Sequence, residues 1–130
     1  MTSPIYLDES IYSRVLAEAL DAHGVEVKRP GVDIAFGSPD EVWLTAAGKA
    51  GWIVLMRDQR VRHRQIELDA LRATDAGAFV LTAGQATAAA VTEVILRRLQ
   101  KIQNIFLSEP KPFIYTISMG GLLSRIRLRR

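Results

Sequence analysis

The chain has 130 residues, of which 48% are hydrophobic and 24% charged, a balance that fits one folded domain with a sizeable core. With no cysteine it can form neither a disulfide nor a thiolate metal site, and no segment reaches the apolar length needed to span a bilayer. The net charge of +3 hides an asymmetry: residues 1–96 carry 9 Lys/Arg against 13 Asp/Glu, whereas residues 97–130 carry 8 Lys/Arg and 1 acid. An acidic body joined to a basic end suits a polyanion partner held beside an acidic site, although a solvated basic helix face and tail would give the same counts.

Ile5-Tyr6-Leu7 forms a short apolar strand that runs straight into Asp8-Glu9. Ser10 is placed to cap a helix reaching about His23, with Ile11, Val15, Leu16, Ala19 and Leu20 at helical spacing and Gly24 as the stop. Val25–Val27 is a short strand candidate, and Arg29-Pro30-Gly31 opens a loop lasting to Gly37. Ser38-Pro39-Asp40-Glu41 predicts a helix start, with Ser38 as N-cap, Pro39 at the first turn and Glu41 closing a capping box. Trp43, Leu44, Ala46 and Ala47 supply its apolar side, and Gly51 ends it.

Trp52–Met56 is an unbroken apolar run stopped by Arg57-Asp58, the pattern of a strand buried on both faces of a parallel sheet. A basic segment follows (Arg57, Arg60, Arg62, His63, Arg64), then a helix through Ile66, Ala70 and Leu71 and a strand at Ala78–Leu81. Residues 85–103 are strongly helical, with Val91, Ile95, Leu99 and Ile102 on one stripe. After Pro110 and Pro112, Phe113–Met119 alternates as an edge strand with Phe113, Tyr115, Ile117 and Met119 on one face. Gly120-Gly121 closes it, leaving a basic C-terminal tail from about residue 120. Alternating strands and helices predict a single α/β domain over 1–130, a three-layer α/β/α sandwich with a mostly parallel central sheet.

The chemistry lies in the acids. Open α/β sheets bind ligands beyond the C-terminal ends of their strands, which is where Asp8 and Asp58 fall, with Asp40 and Glu41 at a helix start that can approach them. Carboxylates gathered there need a hard divalent cation between them, and Mg²⁺ or Mn²⁺ with oxygen ligands is the natural occupant, able to activate water for phosphodiester hydrolysis. Each acid also has a plainer reading: Asp8, Glu9 and Asp40 suit helix N-termini, and Glu41 suits a capping box. Arg57, Arg60, Arg62 and Arg64 can hold a nucleic-acid backbone or be a solvated face. His63 lacks an acidic partner nearby in sequence, and His23 suits a helix C-terminus. Neither a Gly-rich phosphate loop nor a Gly-x-Ser-x-Gly elbow is present.

The phrases Ile-Tyr-Leu-Asp-Glu-Ser, Gly-Ser-Pro-Asp-Glu-Val-Trp-Leu and Gly-Trp-Ile-Val-Leu-Met-Arg-Asp, in that order over about residues 4–82, resemble the PIN-like domains of the VapC-type toxin ribonucleases. Within that group they are most similar to the compact branch with a Leu-Asp-Glu start and an Arg-Asp strand end. The resemblance implies a Rossmann-like sandwich and a Mg²⁺- or Mn²⁺-dependent endoribonuclease. It further implies a toxin, often a dimer neutralised by a small antitoxin protein; the expected cytoplasmic location comes instead from the lack of cysteine and of a signal-peptide pattern. By motif position Asp8 and Asp58 would be metal ligands, with Asp40 or Glu41 between them. Arg60 stands where many relatives carry a second acid, Met56 where Thr is common, and no acid adjoins Thr82. These departures keep open a second reading, a catalytically silent nucleic-acid-binding or protein-interaction module.

Overall fold

A computed structural model describes residues 2–57 and 74–127. Asp58, Arg60, Arg62, His63, Arg64 and the helix expected through Ile66, Ala70 and Leu71 lie outside the described residues. The described elements run β1 (Ile5–Leu7), α1 (Arg14–Ala22), β2 (Val27–Lys28), α2 (Asp40–Ala50), β3 (Ile53–Arg57), β4 (Gly77–Thr82), α3 (Ala88–Ser108), β5 (Phe113–Ser118) and β6 (Leu123–Ile126).

These strands make one sheet in the order β2-β1-β3-β4-β5-β6, parallel throughout except for the antiparallel β6. Strands buried on both faces need no alternation of polarity, and Ile53–Met56 and Gly77–Leu81 are buried without interruption. Alternate residues feed two cores. Ile5, Leu7, Ile53, Leu55, Phe79, Leu81, Phe113, Tyr115 and Ile117 point to one face, where they meet Leu16 and Leu20 of α1 and Val91, Ile95, Ile102 and Phe106 of α3. Tyr6, Val54, Met56, Ala78, Val80 and Ile114 point to the other, under Trp43, Leu44 and Ala47 of α2.

The chain moves outward from β1 to β2, then crosses back over β1 to β3. Crossovers of constant hand place helices on opposite faces when the direction reverses, and α1 and α2 do lie on opposite faces. The step from β4 to β5 runs in the same direction as that from β2 to β3, yet α3 shares the α1 face, so its hand is opposite to that of β1–α1–β2.

Several expectations from the sequence are corrected in detail. The N-cap of α1 is Ser13, whose hydroxyl accepts from the Leu16 amide at 3.1 Å, and Ser10 is left for another task. Val15 is 51% exposed, off the buried stripe. No capping box opens α2: the cap position is Pro39 with no side-chain bond, and the Ser38 hydroxyl donates to the Ala35 carbonyl at 2.7 Å. β2 falls at Val27–Lys28 rather than Val25–Val27. β5 is interior, because Leu123–Ile126, read as tail, turns back and pairs with it through Thr116↔Ser124 and Tyr115↔Arg125.

Candidate nuclease site at the sheet switch point

The reversal of strand order falls between β1 and β3, where neighbouring crossovers diverge and leave a crevice beyond the strand ends. Asp8 stands at that crevice. Its amide extends the ladder by donating to the Leu55 carbonyl at 3.0 Å, and its carbonyl accepts from the amides of Ile11 and Tyr12 at 3.0 and 2.9 Å. The backbone is therefore pinned on both sides of the carboxylate.

Ser10 fixes the side chain. Its hydroxyl donates to Asp8 Oδ2 at 2.6 Å and its amide donates to the same oxygen at 3.1 Å. The Ser10 hydroxyl in turn accepts from the Arg57 amide at 2.9 Å, tying the turn after β1 to the last residue of β3. An Asp accepting from the amide two residues on is a common turn device, so the Asp-x-Ser spacing is the signal that a cap reading of Ser10 overlooks. Among the described residues, Asp8 Oδ1 receives no hydrogen bond, so one carboxylate oxygen is held and the other is open.

Asp8 and Glu9 form one wall of a cleft of about 20 Å³, with Tyr6, Ile34, Gly37, Ser38 and Trp43 around the rest. That is room for about one water-sized occupant. The Tyr6 ring packs against Trp43 and Trp52 at centroid distances of 5.4 and 6.3 Å beneath this cleft. Burial, followed by the negative charges of Asp8, Glu9 and Asp33, pushes the Tyr6 phenol well above its ordinary pKa.

Asp40 opens α2 and its Oδ1 accepts from Trp43 Nε1 at 3.2 Å, so the indole links this acid to the aromatic group under Asp8. Glu41 is exposed. Among the described residues no group of three His, Cys, Asp or Glu side chains converges on one point. Asp8 and Glu9 are the acids that line this one-occupant cleft, and their carboxylates are oxygen donors of the kind a hard cation takes, whereas Asp40 and Glu41 do not line it.

Arg57 has a different task from the one its sequence position invites. Its guanidinium crosses to the loop before α3, where Nη2 donates to the carbonyls of Gly84 and Ala86 at 2.5 and 2.9 Å, and its Nε is buried without a partner among the described residues. Among the described residues, Arg125 and Arg127 also lie away from the crevice. β6 runs antiparallel, so Arg125 and Arg127 travel back toward the other end of the sheet, where Arg125 pairs with Glu109 at 3.1 Å.

A single parallel-rich sheet with an acid at its switch point and helices on both faces defines a compact α/β domain of the doubly wound class. Residues 4–83 match the PIN-like domain family, and the chain belongs to that family. The matched span runs from β1 to just past β4 and thus contains the switch point, Asp8, α2 and the end of β3. No curated protein and no solved structure matches the chain.

Proposed function

We propose that this protein is a metal-dependent endoribonuclease, the toxin of a toxin–antitoxin pair. The observation that carries the reading is the pinned Asp8, one oxygen held by Ser10 and the other open, at the switch point of a PIN-like sheet. Asp8, Asp58 and either Asp40 or Glu41 would hold Mg²⁺ or Mn²⁺. Such an ion supplies an activated water and charge neutralisation at a phosphodiester. Ser10 keeps Asp8 in one rotamer, the cleft confines the reacting group, and Arg57 braces the end of β3 against the α3 loop. Arg60, Arg62 and Arg64 are the candidate backbone contacts, with a small antitoxin and a second copy of the chain as protein partners.

The test is cleavage of a mixed RNA pool by the wild type with Mn²⁺, with EDTA, and by Asp8→Asn and Asp58→Asn. Cleavage should require the metal and vanish in both variants while each melts cooperatively. Full cleavage by both variants would sink the assignment. The second reading, a silent binding module, is favoured by the absence of a three-acid group among the described residues and by Arg60. It predicts no thermal stabilisation by Mn²⁺, whereas an ion bound to the native state must raise stability.

A further inference from the structure

β6 is the last strand of the sheet, and among the described residues it pairs with β5 alone. The Ser118 amide donates to the Leu122 carbonyl at 3.0 Å, which makes these two a hydrogen-bonded pair at the top of the ladder. Antiparallel pairs alternate, so the next hydrogen-bonded pairs are Thr116 with Ser124 and Ile114 with Ile126. The backbone N–H and C=O groups of Leu123 and Arg125 therefore face the open edge. A row of such groups is a template for another strand.

The charge on this edge has one sign. Leu123 packs on the core shared with α1 and α3, and Ile126 on the opposite core. Arg125 lies on the Leu123 side, where its Nη1 donates to Glu109 Oε2 at 3.1 Å; Glu109 Oε1 accepts from the Tyr115 hydroxyl at 3.0 Å, so the guanidinium is anchored to β5. Arg127, two residues on, is exposed and forms no ion pair among the described residues. Both arginines line a depression of about 500 Å³ with Pro112, Phe113 and Ile126. Two guanidiniums thus face a single neighbouring carboxylate, and Arg125 keeps donors that Glu109 does not use.

We infer that the open edge of β6 takes up an extended acidic segment of a partner protein as a further strand, with carboxylates at every second position beside Arg125 and Arg127. The strand period sends alternate side chains to opposite faces, so the residues between the acids fall on the Ile126 side and are apolar. Cross-strand neighbours lie about 5 Å apart and pair by charge. A second copy of the chain is rejected: two-fold pairing about Arg125 sets that arginine against its own equivalent, and pairing about Ile126 sets it against Arg127. A nucleic acid fits less well, because phosphates only accept and the edge carbonyls would go unmet. Arg125 and Arg127 lie at the end of the sheet away from Asp8, so the inference goes beyond the nuclease reading and does not rest on it.

The experiment is binding by the full chain of a fluorescein-labelled peptide of about ten residues alternating Val and Glu, read by anisotropy. The controls are a peptide of the same composition repeating Val-Val-Glu-Glu, which spreads its acids over both faces, and an alternating Val-Lys peptide. The alternating acidic peptide should bind, and both controls should bind at least about tenfold more weakly. Arg127→Glu should weaken the acidic peptide about tenfold, the effect of turning a cross-strand attraction into a repulsion, and should improve the Val-Lys peptide. Leu123→Pro keeps both arginines and removes one edge N–H, a change that an outer strand tolerates, and should also weaken binding. Val42→Ala, an exposed apolar control on α2, should match the wild type. No binding of the alternating acidic peptide would overturn the proposal, as would wild-type affinity in Arg127→Glu and Leu123→Pro that melt cooperatively. Equal binding of the Val-Val-Glu-Glu peptide would also sink it, by reducing the edge to a charge attraction. Tighter binding of a mixed single-stranded RNA, lost in Arg127→Glu and kept in Leu123→Pro, would assign these arginines to nucleic acid instead.

Discussion

Replacing Ser10 by Ala removes one oxygen and two interactions at once. The Asp8 carboxylate loses a 2.6 Å hydroxyl donor, keeping only the amide at 3.1 Å, and the Arg57 amide loses its 2.9 Å acceptor. A hydrogen bond to a charged group contributes about 1.5–3 kcal/mol, and an orphaned buried donor costs about 1–3 kcal/mol. Both bonds are only part-buried, so water replaces some of each, and the expected net loss is about 2 kcal/mol. For a domain of this length that lowers Tm by roughly 8 °C. Urea unfolding followed by circular dichroism measures the loss directly, and Ser10→Thr, which retains the hydroxyl, should recover most of it. The coupling can be isolated with the Asp8→Asn/Ser10→Ala cycle, since residues sharing a hydrogen bond are non-additive. A loss below about 0.5 kcal/mol, the scale of an ordinary surface change, would refute the stitch between β1 and β3.

Two further outcomes follow from packing and charge. Gly48→Ala should destabilise by about 1–3 kcal/mol in denaturant unfolding even though Ala is the better helix former, because the added Cβ would sit 2.9 Å from the Asp75 carbonyl carbon; a gain in stability would show that the 75–76 backbone can yield. Tyr6 is protonated and neutral in the fold with its pKa raised, so as pH climbs above about 10 the unfolded chain loses this proton first and stability falls. Tyr6→Phe should flatten that alkaline decline in urea midpoints while changing little at pH 7, and an unchanged alkaline slope would contradict the raised pKa.

How much of this was legible beforehand depends on the range of the interaction. Trp52–Met56 and Ala78–Leu81 announced buried parallel strands because continuous apolarity is a local signature, and α3 showed its stripe because helical spacing is local too. Asp8 could be singled out because a charge directly after such a strand marks a sheet edge. Ser10 reads as a cap because a Ser before an apolar-periodic stretch carries that signal, whereas in the fold its hydroxyl donates to Asp8 and accepts from the Arg57 amide 47 residues later. Leu123–Ile126 is too short and too mixed to declare itself a strand; it becomes one because β5 presents an unpaired edge.

The α/β class, the parallel core and the acid at the end of β1 are all legible in the chain, since hydrophobic period and chain punctuation are written residue by residue. The strand order, and with it the crevice between β1 and β3, was decided only in three dimensions, because pairing partners are chosen by which faces the helices must cover. So was the direction of the arginines: Arg57 turned to backbone carbonyls and Arg125 carried away on an antiparallel strand, while Arg29, unremarkable in sequence, came to donate to the Tyr12 hydroxyl. Charge counts record how many cations a chain has, and only the folded backbone sets which of them keep their donors available.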